Sequence, residues 1–320
     1  MKLIDMHCDT IGKILDIDKQ GTLLDNLCSV NLTDMKKADS FAQFFACFTN
    51  FGDYLEQDGY EKCYEHALEM IGFIEKQADD YRKEIAIARS YDDIMKNNSQ
   101  NKCSAVITIE EGGILNGKND RLDVLYEKGV RLMTLMWNYE NCLGYPNSKD
   151  RQIMEKGLKP FGIDTVRRMG ELGMIVDVSH ASDGSFWDVI RYAGGPIVAS
   201  HSNCRTLCNH PRNLSDEMMK ALAEKGGVSG LNLYGVFLGT RNESRIDEMA
   251  AHILHMINVG GSDFPAIGTD FDGFRGMDVM EISKLSELEK LWYYLKKKGL
   301  SEDQLEKIWN GNVLRILHEL

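Results

Sequence analysis

Proline is scarce. Five prolines stand singly in 320 residues, so no proline-rich linker divides the chain. Internal repeats and low-complexity tracts are missing as well. Basic residues are outnumbered, with 37 Lys and Arg against 49 Asp and Glu and a formal net charge of −12. That balance argues against a nucleic-acid or anionic-membrane partner, because both would repel an acidic surface. No apolar run reaches the length of a membrane span, and no signal-peptide pattern stands before the first apolar run. The stretch Leu314–Leu320 is too short and too charged for a lipid-anchor tail. None of the eight cysteines forms a C-x-x-C pair, and the nearest two, Cys204 and Cys208, have no matching second pair. Reduced thiols and a cytoplasmic location are the expectation.

What the chain does have is alternation. Short apolar runs occur at Leu3–Met6, Phe44–Phe48, Ala105–Ile109, Val130–Leu135, Met174–Val178, Ile197–Ala199, Val228–Leu233 and Ala266–Gly268. Most are unbroken, which suits parallel strands covered on both faces. Amphipathic segments lie between them: Tyr60–Gln77, Asp120–Lys128, Gly162–Glu171, Ser215–Glu224 and Ser244–Asn258. Gly129, Gly173 and Gly226 stand where helices should stop, and Ser215 reads as an N-cap. Two further helices are predicted over Glu287–Lys298 and Glu302–Leu320. Eight strands alternating with helices predict one (β/α)₈ TIM-type barrel domain over residues 1–320, with extra C-terminal helices. A doubly wound sheet is the alternative, since strand count alone does not decide closure.

Active sites of such barrels form where strands end at their carboxyl edge. His7 and Asp9 follow the first run, two apart, so that both point to one side of an extended chain. Glu110-Glu111-Gly112-Gly113 follow the third, Ser179-His180 the fifth and Ser200-His201 the sixth. Asp270-Phe271-Asp272 follow the eighth. Histidines and carboxylates converging on one rim make the ligand set of a catalytic zinc-type site. His7, Asp9, Glu111, His180 and His201, with Glu111 as the bridge, exceed the needs of one tetrahedral ion, so two are expected. A hydroxide held between them would be the nucleophile. Asp270 would take its proton and pass it on, with Asp272 close enough to exchange roles.

At these residues the chain resembles the renal or membrane dipeptidase family of binuclear zinc peptidases, a branch of the amidohydrolase superfamily. The motifs are Asp5-Met6-His7-Cys8-Asp9, Glu111-Gly112-Gly113, Asp177-Val178-Ser179-His180, Ser200-His201-Ser202-Asn203, His210-Pro211-Arg212-Asn213-Leu214 and Gly268-Thr269-Asp270-Phe271-Asp272-Gly273. Their order spans nearly the whole chain. The resemblance implies a (β/α)₈ barrel with one zinc on His7, Asp9 and Glu111 and a second on Glu111, His180 and His201. Asp270 would be the acid/base. Arg212 would meet the substrate's C-terminal carboxylate, a task its planar fork suits. Dipeptides, some with a D-residue in second place, are the implied substrates, and a homodimer is allowed. Zinc, manganese and cobalt all suit such ligands.

One position departs from the family. Where members carry a histidine after the fourth strand, this chain has Trp137, followed by Asn138. An indole N–H donates a hydrogen bond but carries no charge. Oxyanion stabilisation must then come from the metals, from Trp137 or from Asn138, with packing of the pocket wall as the alternative for Trp137. Two other functions share such a site: an amidase, lactonase or phosphoesterase on small substrates, and a metal-bound binding protein without catalysis. His252 and His255, three apart on a predicted helix, lie away from the strand ends, and His66 and His318 read as surface or packing residues. His210 faces the site from its loop, Asp177 is placed to orient a ligand, and Asn232 and Tyr234 are pocket lining.

Overall fold

Each of the eight apolar runs becomes a strand in the computed structural model, which describes residues 1–55 and 58–319. They are β1 (Leu3–Cys8), β2 (Ser40–Phe48), β3 (Cys103–Glu110), β4 (Val130–Thr134), β5 (Ile175–Asp177), β6 (Ile197–Ala199), β7 (Val228–Leu231) and β8 (Pro265–Ile267). All neighbours pair in parallel and in chain order. β8 returns to β1 through Asp5 opposite Ile267, so the ring closes. Closure leaves no free edge among these eight strands and distinguishes this barrel from an open doubly wound sheet.

Two cores follow from the strand period of two. Ile4, Met6, Phe44, Val106, Leu132, Ile175, Val198, Val228 and Ala266 form one buried cluster inside the ring. Val313, Ile316 and Leu317 of the last helix join that cluster and close the lower end. The alternate positions, among them Ala105, Ile107, Ile109, Met133, Val176 and Ile267, pack outward against the helices. Burying each such side chain is worth about 1.5–3 kcal/mol.

The predicted helices are present, and Ser215 caps Asp216–Glu224 by accepting from the Met218 N–H. Gly173 ends Pro160–Leu172 at φ 71°, a left-handed exit that suits a residue without Cβ. Helices Tyr91–Ser99 and Asp183–Tyr192 were not among the predicted segments. A short strand, Ile85–Ile87, paired with Cys103–Ala105, adds to the eight expected. The expected helix over Glu302–Leu320 divides into Glu302–Glu306, a π-helical turn at Lys307–Gly311 and Asn312–His318, with Leu320 outside the described residues. Gly311 at the break is a poor helix former. Among the described residues, no helix is long and apolar enough to cross a membrane.

Candidate metal and substrate site

The reactive residues meet at the carboxyl edge of the ring. His7 lies within β1 and Glu110 ends β3, whereas His180, His201 and Asp270 stand just beyond β5, β6 and β8. The backbone is unusual here. Glu111 (φ 87°), His180 (φ 67°), Asp270 (φ 60°) and Asp272 (φ 72°) all take left-handed conformations, which are uncommon for residues with a Cβ. Such strain collects at functional sites, where surrounding contacts hold it.

The expected bridge, Glu111, is not in the cluster. Its carboxylate accepts from Gly113 N, Trp137 N and Asn141 Nδ2. Glu110 takes the central place instead. Its Oε2 lies 3.2 Å from His7 Nε2, while its Oε1 lies 3.2 Å from His180 Nε2 and 3.6 Å from His201 Nε2. Strand parity explains the correction. Val106, Thr108 and Glu110 share the inward face of β3, so the next residue, Glu111, turns out of the barrel. Two ligand groups result, His7–Asp9–Glu110 and Glu110–His180–His201, each with ligand atoms within 4.8 Å of one another.

A second layer of hydrogen bonds sets the rings. His201 Nδ1 lies 2.7 Å from Ser200 Oγ, which donates to Asp177 Oδ2 at 2.6 Å. With its own proton given to Asp177, Ser200 can only accept from His201 Nδ1–H, so Nε2 is left as a lone pair. Asn138 Oδ1, 3.3 Å from His180 Nδ1, does the same for that ring. Asp177 also takes Thr134 Oγ1, Ser179 N and Ser200 N, tying β4, β5 and β6 together. Asp5 binds Gln43 and Thr269 and so ties β1 to β2 and to the end of β8. Gly230 and Gly268 complete the frame, since a Cβ on either would sit within 2.0 Å of the Ser200 carbonyl.

These residues fit a cation. His180 Nε2 and His201 Nε2 are 3.1 Å apart and both face Glu110 Oε1, three acceptors converging with no donor between them. His7 Nδ1, His7 Nε2, Asp9 Oδ1 and Glu110 Oε1 are buried without hydrogen-bond partners, a costly state that a metal ion would relieve. Burial, aided by Arg212, pushes His180 down to about 4. It also holds His201 well below its ordinary value, so both rings are neutral and ready to ligate at pH 7. At His7 burial opposes the imidazolium, but the charges of Glu110 and Asp9 outweigh it and raise the pKa well above the usual value. Burial likewise opposes ionisation of Glu110, yet His7 and His180 hold it below the carboxylate range. Replacing Ser200 by alanine should lower metal affinity at the His201 side roughly 10–100-fold, the usual cost of losing such an orienting partner. Competition with a chelator reads this directly, and an unchanged affinity would show that the Asp177–Ser200 relay does not orient the ring.

A cleft of about 530 Å³ opens above the cluster, with Phe48, Trp137, Asn138, Tyr234, Phe237 and Phe274 among its walls. Trp137 meets Phe48 edge-on at 4.9 Å. Arg212 stands behind that lining, buried, with its Cζ 5.6 Å from the centre of the Phe237 ring. Its Nη1 and Nη2 donate to Ser202 Oγ and the His201 carbonyl, while Nε has no partner. The two aspartates after β8 separate clearly. Asp270 joins a ligand group with His7 and His201, and its Oδ2 accepts from Asn232 Nδ2 at 2.8 Å. Asp272 is spent on Thr10, Lys13 and the Ser29 N–H. Asn232 is thus buried support for Asp270 and not pocket lining, which strand pattern alone did not signal.

The remaining histidines are accounted for elsewhere. His252 bridges Cys204 N and the Leu238 carbonyl, and His255 pairs with Asp216. His66 sits between Asp16 and Glu69, His318 meets the Tyr91 ring, and His210 accepts from the Arg212 N–H.

Comparison with known proteins gives concordant findings. A family model described as membrane dipeptidase, peptidase family M19, matches residues 1–320. A protein of Klebsiella pneumoniae, described only as an uncharacterized protein in the pqqA 5′ region, is 36% identical over 222 residues, covering 66% of this chain and 80% of that protein. An uncharacterized dipeptidase of Schizosaccharomyces pombe is 30% identical over 300 residues, covering 89% and 71%. Among solved structures, a metallo peptidase of Rhodobacter sphaeroides, liganded with a phosphinate mimic of the dipeptide L-Ala-D-Ala, superposes with a TM-score of 0.89 at 22% identity. That match covers 100% of this chain and 99% of the other. Another dipeptidase structure reaches a TM-score of 0.91 at 22% identity, covering 100% and 98%. At that identity the structural matches speak for the fold.

Proposed function

Given that this chain belongs to the membrane dipeptidase family, peptidase family M19, we propose that it is a two-metal dipeptidase built as one catalytic barrel. The observation carrying this reading is the split carboxylate of Glu110, with one oxygen turned to His7 and the other to His180 and His201. A carboxylate so placed would serve two cations at once. His7 and Asp9 would hold one ion and His180 and His201 the other, a nitrogen and oxygen set that suits zinc. Bound there, the metals would polarise the scissile carbonyl and supply an activated nucleophile at neutral pH.

The chain's own groups would do the rest. Asn232 donates to Asp270 Oδ2 and leaves Oδ1 to carry the proton. Burial raises Asp270 to about 6, suited to a group that must both accept and release a proton near neutrality. Hydrolysis breaks the C–N bond, the carbonyl carbon gains the oxygen of water, and the proton passes through Asp270 to the departing amine. Arg212, with its unpaired Nε–H, would draw the substrate's C-terminal carboxylate toward the β6–β7 side. Asp270 beside the ligands, outside both sets that would hold an ion, favours catalysis over mere binding, since a binder needs no proton carrier. The structure liganded with an L-Ala-D-Ala mimic makes a D-residue in second place the first stereochemistry to try. Eight free cysteines support a reducing, cytoplasmic setting.

The test is hydrolysis of a panel of L-L and L-D dipeptides matched in side chain, by zinc-loaded protein, with His201→Ala as control. Cleavage that disappears in the variant and on chelation is the expected result. A protein holding two metals but inert toward every dipeptide would sink the reading and turn attention to other small amides and esters.

A further inference from the structure

Glu111 is fully buried beside the metal ligands, yet its carboxylate points away from them. Three donors surround it: Gly113 N at 2.8 Å and Asn141 Nδ2 at 2.6 Å on Oε1, and Trp137 N at 3.1 Å on Oε2. Two of the three belong to the loop that follows β4. That loop carries Trp137 and Asn138 into the cleft, and Asn138 in turn contacts His180 Nδ1. Glu111 takes a positive φ of 87° to reach this position, a strained backbone that its three bonds hold in place.

Ring order says what the loop faces. In the closed barrel β3 lies opposite β7, and of the two strands that flank β3, Phe48 ends β2 and Trp137 follows β4. Arg212 contacts Ser202 and His201 on the β6 side and Phe237 beyond β7. A dipeptide with its carboxylate toward Arg212 and its scissile carbonyl over the cluster would extend its first residue toward β3. The Trp137 and Phe48 rings, in edge-on contact, form an apolar wall there.

We infer that Glu111 is a positioning residue: it holds the Trp137–Asn141 loop so that Trp137 and Phe48 form the subsite for an apolar side chain on the substrate's first residue. The assignment of the side chain rests on the dipeptidase reading, while the anchoring role stands on the hydrogen bonds alone.

Glu111→Gln tests it sharply. The amide oxygen can still serve Gly113 and Asn141, but its NH₂ then faces the Trp137 N–H, donor against donor. The zinc-loaded variant is expected to keep the wild-type metal content. KM for Leu-D-Ala and Phe-D-Ala should rise about tenfold or more, as expected for loss of one buried acceptor, while Ala-D-Ala changes far less and kcat falls little. Tryptophan fluorescence should shift, and the shift should vanish in a Trp137→Phe background. Loss of one metal per chain would overturn the inference by making Glu111 a ligand. So would an equal KM rise for all three dipeptides, or an unshifted fluorescence. If the variant does not fold, amide exchange in the wild type decides: a protected Trp137 N–H supports the anchor, and fast exchange there refutes it. If the wild type cleaves no dipeptide, the proposed function fails, but metal content, fluorescence and exchange still judge Glu111.

Discussion

Glu110→Gln should reduce kcat for dipeptide hydrolysis by roughly 10³-fold or more, and metal content should fall with it. The size follows from what the carboxylate touches. Its two oxygens face His7 on one side and His180 and His201 on the other, so one substitution weakens both ligand groups. Metal ions contribute several kcal/mol to a hydrolytic transition state, and about 1.4 kcal/mol is a factor of ten. Glutamine keeps the shape and loses the charge, which leaves His7 without its strongest partner and the two proposed cations with one less negative ligand. Elemental analysis beside turnover checks the prediction. A variant that retains both metals and most of its activity would return the bridging role to another carboxylate, with Glu111 the first to examine.

The second large effect concerns the proton. Asp270→Asn preserves the acceptor for Asn232 Nδ2 and the size of the side chain, so fold and metal content should hold. Proton carriage should not. A fall in kcat of roughly 10²–10⁴-fold is expected for loss of a positioned acid/base, with KM little changed. Asp272→Ala is the informative contrast. Its side chain is fully buried and satisfies Thr10, Lys13 and the Ser29 N–H, so its removal should cost roughly 2–4 kcal/mol of stability. Urea unfolding and steady-state kinetics on both variants separate the two roles. If Asp272→Ala lost more kcat than Asp270→Asn, the assignment would be reversed.

How far the primary structure reaches is clearest on β3. The inward series Val106, Thr108, Glu110 has period two and could have selected Glu110, but Glu111 begins the E-G-G motif and drew the bridging role to itself. A motif is a string, whereas a ligand needs a direction, and one residue of slip reverses the face. At β5 and β6, by contrast, His180 and His201 were legible from the strand ends alone. There the barrel's rule that function gathers at the carboxyl edge was sufficient.

Three determinations came from sequence by itself: eight strands alternating with helices, the rim on which the candidate ligands gather, and the histidines and aspartates that stand there. These depend on periodicity and order, which are properties of neighbours along the chain. Tertiary structure alone decided that the sheet closes, through Asp5 opposite Ile267, and that Glu110 rather than Glu111 faces the histidines. It also decided that Asp177 works through Ser200, that Asn232 holds Asp270, and that Asp272 braces Lys13. Each of these is a meeting of atoms from different segments of the chain, in one case 259 residues apart. Such meetings depend on ring closure and burial, because only a dry, closed frame makes an unpaired carboxylate or imidazole costly enough to fix its direction.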